Sequence, residues 1–326
     1  MPANLTPEYE KAEQRYRQAK TDEEKLLGLQ EMLRTIPKHK GTDKMQADLK
    51  RRISQARRAA VKKSGKRGVD FFHVPKTGAG QIVLVGLPNV GKSALVAATT
   101  NAPVKVADYP HTTAVPTPGM WHRQDVQLQL VDTPPVTAGQ VPPGLMGTIR
   151  SADVILIVVD AAGACLQQAE GVLALLDGRG LQVRSTPRRH LDPEDRTRYS
   201  GLIAANKADL AQPDDLAVLR ELYAERLEVL PISCTTGEGL ETLSQRLWEL
   251  LDVIRVYTKE PGKPTDDDQP YTLPAGATLE DLAREIHRDL PGKMRYARIW
   301  GGGRFDGQRA QRSEVLRDKD VVEIHQ

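Results

Sequence analysis

The sequence predicts an α/β fold in three parts, and three observations lead to that prediction. From Gln81 onward, buried-strand runs such as "QIVLVG" and "DVILIVVD" alternate with helical segments, which predicts a mostly parallel sheet covered on both faces. Residues 1–63 carry apolar side chains at helical spacing. Residues 254–326 carry short strands around one helix, expected near Thr278 to His287, which predicts a small mixed sheet. We therefore expect a helical domain at 1–63, a linker at 64–80, an α/β domain at 81–253 and a last domain at 254–326.

The composition fits a soluble, cytoplasmic protein without membrane contact. The chain has 326 residues, of which 39% are hydrophobic, enough for two or three cores. The polar N-terminus has no apolar signal region, and the longest apolar run, "VILIVV", is far too short to span a bilayer. The two cysteines, Cys165 and Cys234, lie far apart and have no metal-binding neighbours, which favours a reducing compartment.

The first domain is predicted to be a helical hairpin. The segment "TDEEKLLGLQEMLRTI" begins with Thr21 as a helix N-cap and has Glu24 three residues later, the pattern of a capping box. A second helix is predicted to begin at Thr42 or Asp43. One apolar seam is expected to join the two helices, and in the first of them it consists of Leu26, Leu29, Leu33 and Ile36.

A basic block covers residues 38–67. It holds twelve Lys or Arg residues and two acids, Asp43 and Asp48, whereas the whole chain has a net charge of only +3. Such a block can neutralise phosphate charge, so a ribosome or structured RNA is one expected partner. The alternative is a solvated helix face whose acids come from a protein partner. Few aromatic residues interleave the basic ones, which argues against stacking on single strands in this block.

The stretch "GLPNVGKS" follows a predicted strand and opens a predicted helix, which is the context of a phosphate-binding loop, or P-loop. Its glycines let the backbone wrap a β-phosphate with inward N–H groups, and the helix N-terminus adds a favourable dipole. Lys92 is expected to bridge the β- and γ-phosphates, and Ser93 to hold Mg²⁺ through its hydroxyl. The predicted nucleotide contacts here are Gly86, Leu87, Pro88, Asn89, Val90, Gly91, Lys92, Ser93 and Ala94.

Two later strand ends carry the predicted base-recognition residues. In "AANKAD", the Asp209 carboxylate can accept hydrogen bonds from the N1–H and exocyclic amine of guanine, an arrangement that adenine does not present. Lys207 can lie along the base and Asn206 can tie this loop to the P-loop; the alternative is a polar turn that Asn206 caps. The backbone of a third loop, "PISCTTGEG", is expected to face the guanine O6 through Ser233, Cys234 and Thr235.

The segment "DYPHTTAVPTPGM" is predicted to be a polar loop in front of a strand. One of its threonines, Thr112 or Thr113, is expected to close on Mg²⁺ and the γ-phosphate, and the sequence leaves the choice between them open. A proline-rich surface loop is the alternative. Asp132 ends the strand "VQLQLVD" and is expected to reach Mg²⁺ through a water. The predicted metal ligands are thus Ser93, Thr112, Thr113 and Asp132, and the predicted catalytic residues are Lys92, Thr112, Thr113 and Asp132.

The order of these motifs is that of a GTP-binding domain, and their details resemble the Obg-related, developmentally regulated GTP-binding (DRG) family. "YPHTTAVPTPGM" looks like that family's switch, and "HKGTDKMQADLKRRISQARR" is similar to its N-terminal helical hairpin. "IRVYTKEPGKP", "TLEDLAREIHRDL" and "LRDKDVVEIH" resemble its C-terminal TGS domain, a β-grasp module. The resemblance implies a P-loop GTPase that uses Mg²⁺ and is tied to ribosomes or other RNA–protein assemblies.

Two departures from the family pattern bear on activity and partners. The family's insert inside the GTP-binding domain has only residues 177–201 to represent it here, and we expect this stretch to be an excursion from the domain. Pro135 stands where a glycine N–H is expected to touch the γ-phosphate, and proline has no N–H to donate. A hydrophobic residue such as Val136 at the next position is normal in Obg-related proteins. We therefore predict a slow GTPase, with a guanine-nucleotide-binding adaptor that scarcely hydrolyses as the alternative.

Asn89 offers a compensation for a missing γ-phosphate contact. It occupies the P-loop position that resembles the asparagine of potassium-stimulated GTPases. A K⁺ ion beside the phosphates would neutralise charge that no arginine finger supplies. The alternative is a polar loop residue without a cation.

Overall fold

The computed structural model divides the chain into two compact units, residues 1–71 and 72–326. It describes residues 7–18, 22–36, 42, 45–46, 48–54, 72–100, 115–137, 141–192, 194–195, 197–262, 266–302 and 305–325.

The first unit is helical. Its described elements are α1 (Pro7–Gln18), α2 (Asp22–Thr35) and a further helical stretch at 48–54. α2 begins one residue after the predicted cap, and α1 is an additional helix that the hairpin prediction did not specify. Together they enclose one small core, made of Tyr9, Ala12, Leu29, Met32, Ile36, Leu49 and Ile53.

Part of the basic block lies in the described helical stretch. Asp48 accepts from Arg51 at 2.9 Å and from Arg52 at 2.7 Å, so two of the basic side chains there already face a carboxylate. Both arginines stay largely exposed, and Lys50 beside them is exposed as well. The outer parts of the block, residues 38–41 and 55–67, lie outside the described residues.

The second unit begins with a seven-stranded sheet in the order β2-β3-β1-β4-β6-β5, with β7 paired to β6. β2 is antiparallel to β3, and the other pairings are parallel. The strands are β1 (Gln81–Val85), β2 (Thr117–Arg123), β3 (Val126–Asp132), β4 (Val154–Asp160), β5 (Gln182–Arg184), β6 (Arg198–Asn206) and β7 (Val229–Pro231).

Helices cover both faces of this sheet, as the near-continuous apolar strands require. α3 (Lys92–Thr99) and α7 (Leu240–Leu251) pack on one face through side chains such as Leu95 and Leu247. The other face is covered by α4 (Leu145–Ser151), α5 (Cys165–Asp177) and α6 (Pro213–Tyr223). The predicted α/β class with a mostly parallel sheet is confirmed.

Two predictions about this sheet were wrong. Residues 177–201 are not an excursion from the domain, because β5 pairs with the start of β6 and the side chains of Leu181 and Val183 are fully buried. A three-residue strand with a single buried side chain has too few apolar positions to show an alternating pattern. The loop predicted to run to Met120 ends earlier, since β2 begins at Thr117 in spite of its proline and glycine, which an edge strand tolerates.

The last part of the second unit is a five-stranded sheet in the order β11-β10-β12-β8-β9, in which β8 and β12 are parallel. Thr278 caps α8 and forms a capping box with Asp281, so the helix begins where the sequence predicted. The strands are β8 (Val253–Lys259), β9 (Asp266–Pro274), β10 (Tyr296–Trp300), β11 (Gln308–Ala310) and β12 (Asp320–His325), and the helices are α8 (Leu279–Ile286) and α9 (Leu290–Lys293).

A buried guanidinium joins this sheet to the α/β domain. Arg255 on β8 donates to Asp318 at 2.7 and 3.1 Å and to Asp125, in the β2–β3 turn, at 2.9 Å. The Tyr257 hydroxyl also donates to Asp125. The Arg255 guanidinium lies 5.3 Å from the ring centroid of Trp248 on α7. The turn of the β2–β3 hairpin, which lies at the opposite end from Asp132, is therefore in direct contact with the last domain.

Candidate nucleotide-binding site

The predicted site residues gather at one edge of the large sheet. β1 ends at Val85 before the P-loop, β3 ends at Asp132, and β6 ends at Asn206. β7 ends at Pro231, just before the loop that begins at Ser233. Because these strands are parallel, their carboxyl ends meet at the same edge, which is where open α/β sheets bind ligands.

Backbone geometry holds the P-loop in its shape. Asn89 and Gly91 have φ of 65° and 95°, in the left-handed region that favours glycine. A Cβ on Gly91 would lie 2.1 Å from the Asn206 Nδ2 atom, and one on Gly86 would lie 2.4 Å from the Val158 carbonyl oxygen. Both positions therefore require glycine, because other segments of the same chain approach them closely. The loop runs on into α3, whose first residues are Lys92, Ser93 and Ala94.

Lys92 lies buried in the middle of this loop. Its ammonium donates to the carbonyl oxygens of Gly86 at 3.0 Å and Leu87 at 2.9 Å, and the residue is only 6% exposed. Burial lowers the pKa of Lys92 to about 8, and the nearby Asp132 carboxylate opposes that shift. The side chain is thus held inside the turn that the sequence assigned to phosphates.

Ser93 and Asp132 form a pair of oxygen donors beside Lys92. The Ser93 hydroxyl donates to the Asp132 carboxylate at 2.6 Å, and Asp132 is 2% exposed. A hydroxyl and a carboxylate at this separation are the hard oxygen ligands that Mg²⁺ takes, together with phosphate oxygens. These two residues therefore fit a magnesium site. The other predicted ligands, Thr112 and Thr113, lie outside the described residues.

Asn206 connects three of the site's loops. Its side-chain amide donates to the Val90 carbonyl oxygen at 3.0 Å, and its carbonyl oxygen accepts from the Cys234 N–H at 3.3 Å. The first contact is the tie between the base loop and the P-loop that the sequence suggested. The second was not predicted, because nothing in the local sequence pairs residues 206 and 234.

The predicted base-recognition residues include one exposed carboxylate. Asp209 is exposed on a short 3₁₀ turn, Ala208–Leu210, where it is available to a ligand. Lys207 has a φ of 62°, and its ammonium forms an ion pair with Asp160 at the end of β4. Asp160 also accepts from the Ala162 N–H at 3.0 Å. The sequence analysis did not single out Asp160. Its position nevertheless matches that of Asp132, since each acid is the last residue of its strand.

The third loop is ordered by a buried hydroxyl. Ser233 is fully buried, and its side-chain oxygen accepts from the N–H groups of Thr235 at 3.3 Å and Thr236 at 3.1 Å. Burial raises the pKa of Cys234 to about 11, which makes its thiol a poor nucleophile near neutral pH. Thr235 is exposed at the loop surface. The loop thus has a fixed backbone next to Asn206.

The segment after Asp132 offers few hydrogen-bond donors. Pro134 and Pro135 have no N–H, and the N–H of Val136 donates to the Gly86 carbonyl oxygen at 3.2 Å. Val136 is also 1% exposed and belongs to the domain core. Pro135 therefore has no N–H to donate, and the next residue, Val136, is held against the P-loop by its own N–H.

The fold and the site together define a P-loop GTPase domain followed by a TGS domain. The sequence pattern of the family described as "50S ribosome-binding GTPase" matches residues 81–185, and that of the TGS domain matches residues 254–326. Over most of its length, the chain is a homologue of the DRG GTP-binding proteins.

Two relatives illustrate the extent of this homology. An uncharacterized GTP-binding protein of Methanocaldococcus jannaschii is 28% identical over 93% of this chain and 92% of its own length. Developmentally-regulated G-protein 2 of Arabidopsis thaliana is 29% identical over 90% of this chain and 88% of its own. Among solved structures, the G domain of the T. maritima FeoB iron transporter is 24% identical, with a TM-score of 0.38 over 52% of this chain and 98% of that one.

In the described ranges, no helix combines the length and apolar character that crossing a membrane requires.

Proposed function

We propose that this protein binds guanine nucleotides at the P-loop edge and hydrolyses GTP slowly, as a switch. The observation that carries the proposal is the arrangement around Lys92, whose buried ammonium lies inside a turn closed by Gly86 and Gly91. Phosphate oxygens can replace the loop carbonyls as partners of that ammonium. The family described as a GTPase and the names of the GTP-binding relatives support the same activity.

Guanine selectivity rests on Asp209. Its exposed carboxylate stands one turn after Asn206, whose side chain is fully engaged by the P-loop and by Cys234. Competition between labelled GDP and either GDP or ADP tests this assignment. Asp209→Ala should lose the preference for guanine, whereas equal competition by ADP against the unchanged protein would contradict it.

Mg²⁺ is the cofactor that the site fits, and Ser93 and Asp132 would hold it. When bound, it would neutralise charge on the β- and γ-phosphates. The Ser93 hydroxyl and the Asp132 carboxylate already lie 2.6 Å apart, so both face the same point. Ser93→Ala should weaken the dependence of GTP binding on added magnesium.

Slow hydrolysis follows from the donor-poor segment after Asp132. A charge-assisted hydrogen bond to the γ-phosphate contributes about 1.5–3 kcal/mol, and Pro135 cannot make it. Pro135→Gly should therefore raise the single-turnover rate about tenfold or more. Pro134→Gly is the matched control, because it adds an N–H one residue away from the expected position.

The second candidate function is a nucleotide-binding adaptor without significant turnover. It is favoured by the same segment, since Val136 is buried and its N–H is engaged by Gly86. A single-turnover assay with Lys92→Ala as the blank separates the two functions. Hydrolysis above the blank supports the switch, and GTP binding without hydrolysis above the blank supports the adaptor.

Potassium stimulation is proposed on the basis of Asn89. This residue is exposed at the rim of the P-loop with its backbone in the left-handed region, so its side chain is available to a cation or a phosphate. Turnover should be faster in KCl than in NaCl, and Asn89→Ala should abolish the difference. Equal turnover rates of the unchanged protein in both salts would contradict potassium stimulation.

A ribosome or structured RNA is the proposed partner of the basic block, with a protein partner as the alternative. Lys50, Arg51 and Arg52 are exposed in the described part of the block, although Asp48 partly neutralises the two arginines. Lys50→Glu should weaken salt-sensitive co-sedimentation with ribosomes. Arg284→Glu, at an exposed position of α8, is the matched control and should leave it unchanged.

A further inference from the structure

A cavity of about 480 Å³ opens at the edge of the large sheet, where β5 ends and β7 begins. Both strands pair with β6, β5 along residues 198–200 and β7 along residues 203–205. The end of α6 and one side of α7 also contribute to it. We call it the arginine cavity, and its charged lining residues are Arg184, Arg220, Arg226, Arg246, Glu225 and Glu228.

The arginine cavity is separate from the nucleotide-binding edge. Its lining residue Val229 pairs with Ile203, and Asn206 lies three residues further along the same strand. Arg184 pairs with Ser200, six residues before that strand end. At about 3.3 Å per strand residue, the cavity lies roughly 10–20 Å back from the edge that carries the P-loop. A molecule bound here would therefore not occupy the place of a guanine nucleotide.

Hydrogen bonds between β5 and the start of β7 hold the wall of the cavity. The Ser185 N–H donates to the Arg226 carbonyl oxygen at 3.1 Å, and the Ser185 hydroxyl oxygen accepts from the Glu228 N–H at 2.8 Å. The same hydroxyl donates to the Gly201 carbonyl oxygen at 2.8 Å. Because these bonds form without a ligand, little ordering of the wall would oppose binding.

Two of the four arginines are already neutralised. The Arg226 guanidinium donates to both carboxylate oxygens of Asp177, at 2.6 and 2.9 Å. Arg246 donates to the Glu228 carboxylate at 2.7 and 2.8 Å and also pairs with Glu249. These two guanidinium groups therefore belong to the frame of the cavity and supply no unbalanced charge.

The other two arginines face no carboxylate in the part of the chain that the structure describes. Arg184 is exposed at the end of β5. Arg220 is exposed on α6, and its Nε donates over 3.4 Å to the Val229 carbonyl oxygen, which leaves both terminal nitrogens available. Glu225, also exposed, has no cation paired with it among the described residues. The unpaired lining groups are thus two positive charges against one negative charge.

We propose that the arginine cavity binds a small phosphorylated molecule, with a phosphate group between the guanidinium groups of Arg184 and Arg220. This inference goes beyond the proposed function, because it concerns a second site with its own ligand. Guanidinium groups offer forked donors that match phosphate oxygens. A phosphate carries about −1.5 to −2 charge near neutral pH, which balances two arginines, whereas one carboxylate balances only one. The volume falls within the range of roughly 300–1,000 Å³ that is usual for small-molecule sites.

Calorimetric titration of fructose bisphosphate into the full chain, preloaded with GDP and Mg²⁺, tests the proposal. Binding should saturate with a Kd below about 1 mM, and unphosphorylated fructose should not bind. Arg184→Ala and Arg220→Ala remove exposed side chains without an ion pair, and each should weaken binding about tenfold or more. Arg179→Ala is the matched control, because it removes an exposed charge outside the cavity and should leave the affinity unchanged.

Three further outcomes decide whether the phosphate lies where we place it. Glu225→Gln should strengthen binding, because it removes a negative charge from the lining, and weaker binding would contradict the placement. Citrate that binds as tightly as fructose bisphosphate would refute the preference for phosphate. No saturable binding, or equal binding by Arg184→Ala, Arg220→Ala and the unchanged protein, would refute the inference.

A titration without nucleotide separates this site from the P-loop. Lys92→Ala should bind fructose bisphosphate at the arginine cavity as the unchanged protein does. If Lys92→Ala loses this binding while Arg184→Ala and Arg220→Ala keep it, the phosphates occupy the P-loop. In that case the inference is wrong and the proposed nucleotide site stands.

Discussion

Raising the pH from 7 to 9 should weaken nucleotide binding about tenfold, and the effect is traced to Lys92. Burial lowers the pKa of this ammonium to about 8, whereas phosphate oxygens in contact with it would favour the charged form and raise its pKa. Above pH 8, nucleotide binding is therefore coupled to protonation of the Lys92 amine. In the nucleotide-free protein, Lys92 is roughly nine-tenths protonated at pH 7 and one-tenth at pH 9. Because the charged form is the one that binds phosphate, the affinity should fall by the same factor of about ten, or ~1.4 kcal/mol.

The assay is a fluorescence titration with labelled GDP at several pH values and constant ionic strength. Lys92→Arg is the control, because its guanidinium stays charged at both pH values and any remaining slope reports ionisation of guanine itself. Above pH 8, affinity should fall more steeply in the unchanged protein than in Lys92→Arg. Identical slopes in the two proteins would refute the assignment of Lys92 to the phosphates.

Two further predictions concern the links between loops and between domains. Gly91→Ala forces a Cβ to within 2.1 Å of the Asn206 amide at a left-handed backbone position, so GDP affinity should fall about tenfold or more in the same titration, at a cost of at least ~1.4 kcal/mol. Unchanged affinity would show that the close approach is relieved elsewhere. Arg255→Ala leaves the Asp318 carboxylate without its cation, and chemical denaturation should show a loss of roughly 2 kcal/mol, reduced from the fully buried case because Asp318 is 38% exposed. The exposed Arg284→Ala should change stability by less than about 0.5 kcal/mol, and an equal loss in both variants would contradict the role of Arg255.

Features that depend on neighbours in the chain could be predicted. The P-loop is a contiguous run between a strand and a helix, and its glycines mark the tight approaches that the structure contains at Gly86 and Gly91. The helix expected near residues 278–287 begins at Leu279, directly after its cap Thr278, so the start of α8 could be predicted as well. In each case a local sequence pattern marks the position, although the close approaches at Gly86 and Gly91 are made to the remote residues Val158 and Asn206.

Short elements were predicted less well, because their pattern is too brief to show a period. β5 has three residues and only Val183 is buried among them, so the sequence around it resembled a loop. What makes it a strand is pairing with Arg198–Ser200, a segment that the local sequence does not identify. β2 likewise owes its existence to the antiparallel partner β3, despite its proline and glycine.

The sequence by itself determined the fold class, the phosphate loop and the candidate guanine loop, since each is written in a local pattern of glycines, apolar runs and strand ends. Tertiary structure alone decided that Asn206 joins Val90 to Cys234, that Arg255 ties β8 to the β2–β3 turn, and that Arg298 opposes Arg309 across two strands. The physical reason is distance along the chain. Hydrogen bonds and charge pairs between remote segments form only after the sheets assemble, and no local pattern records which side chains then meet.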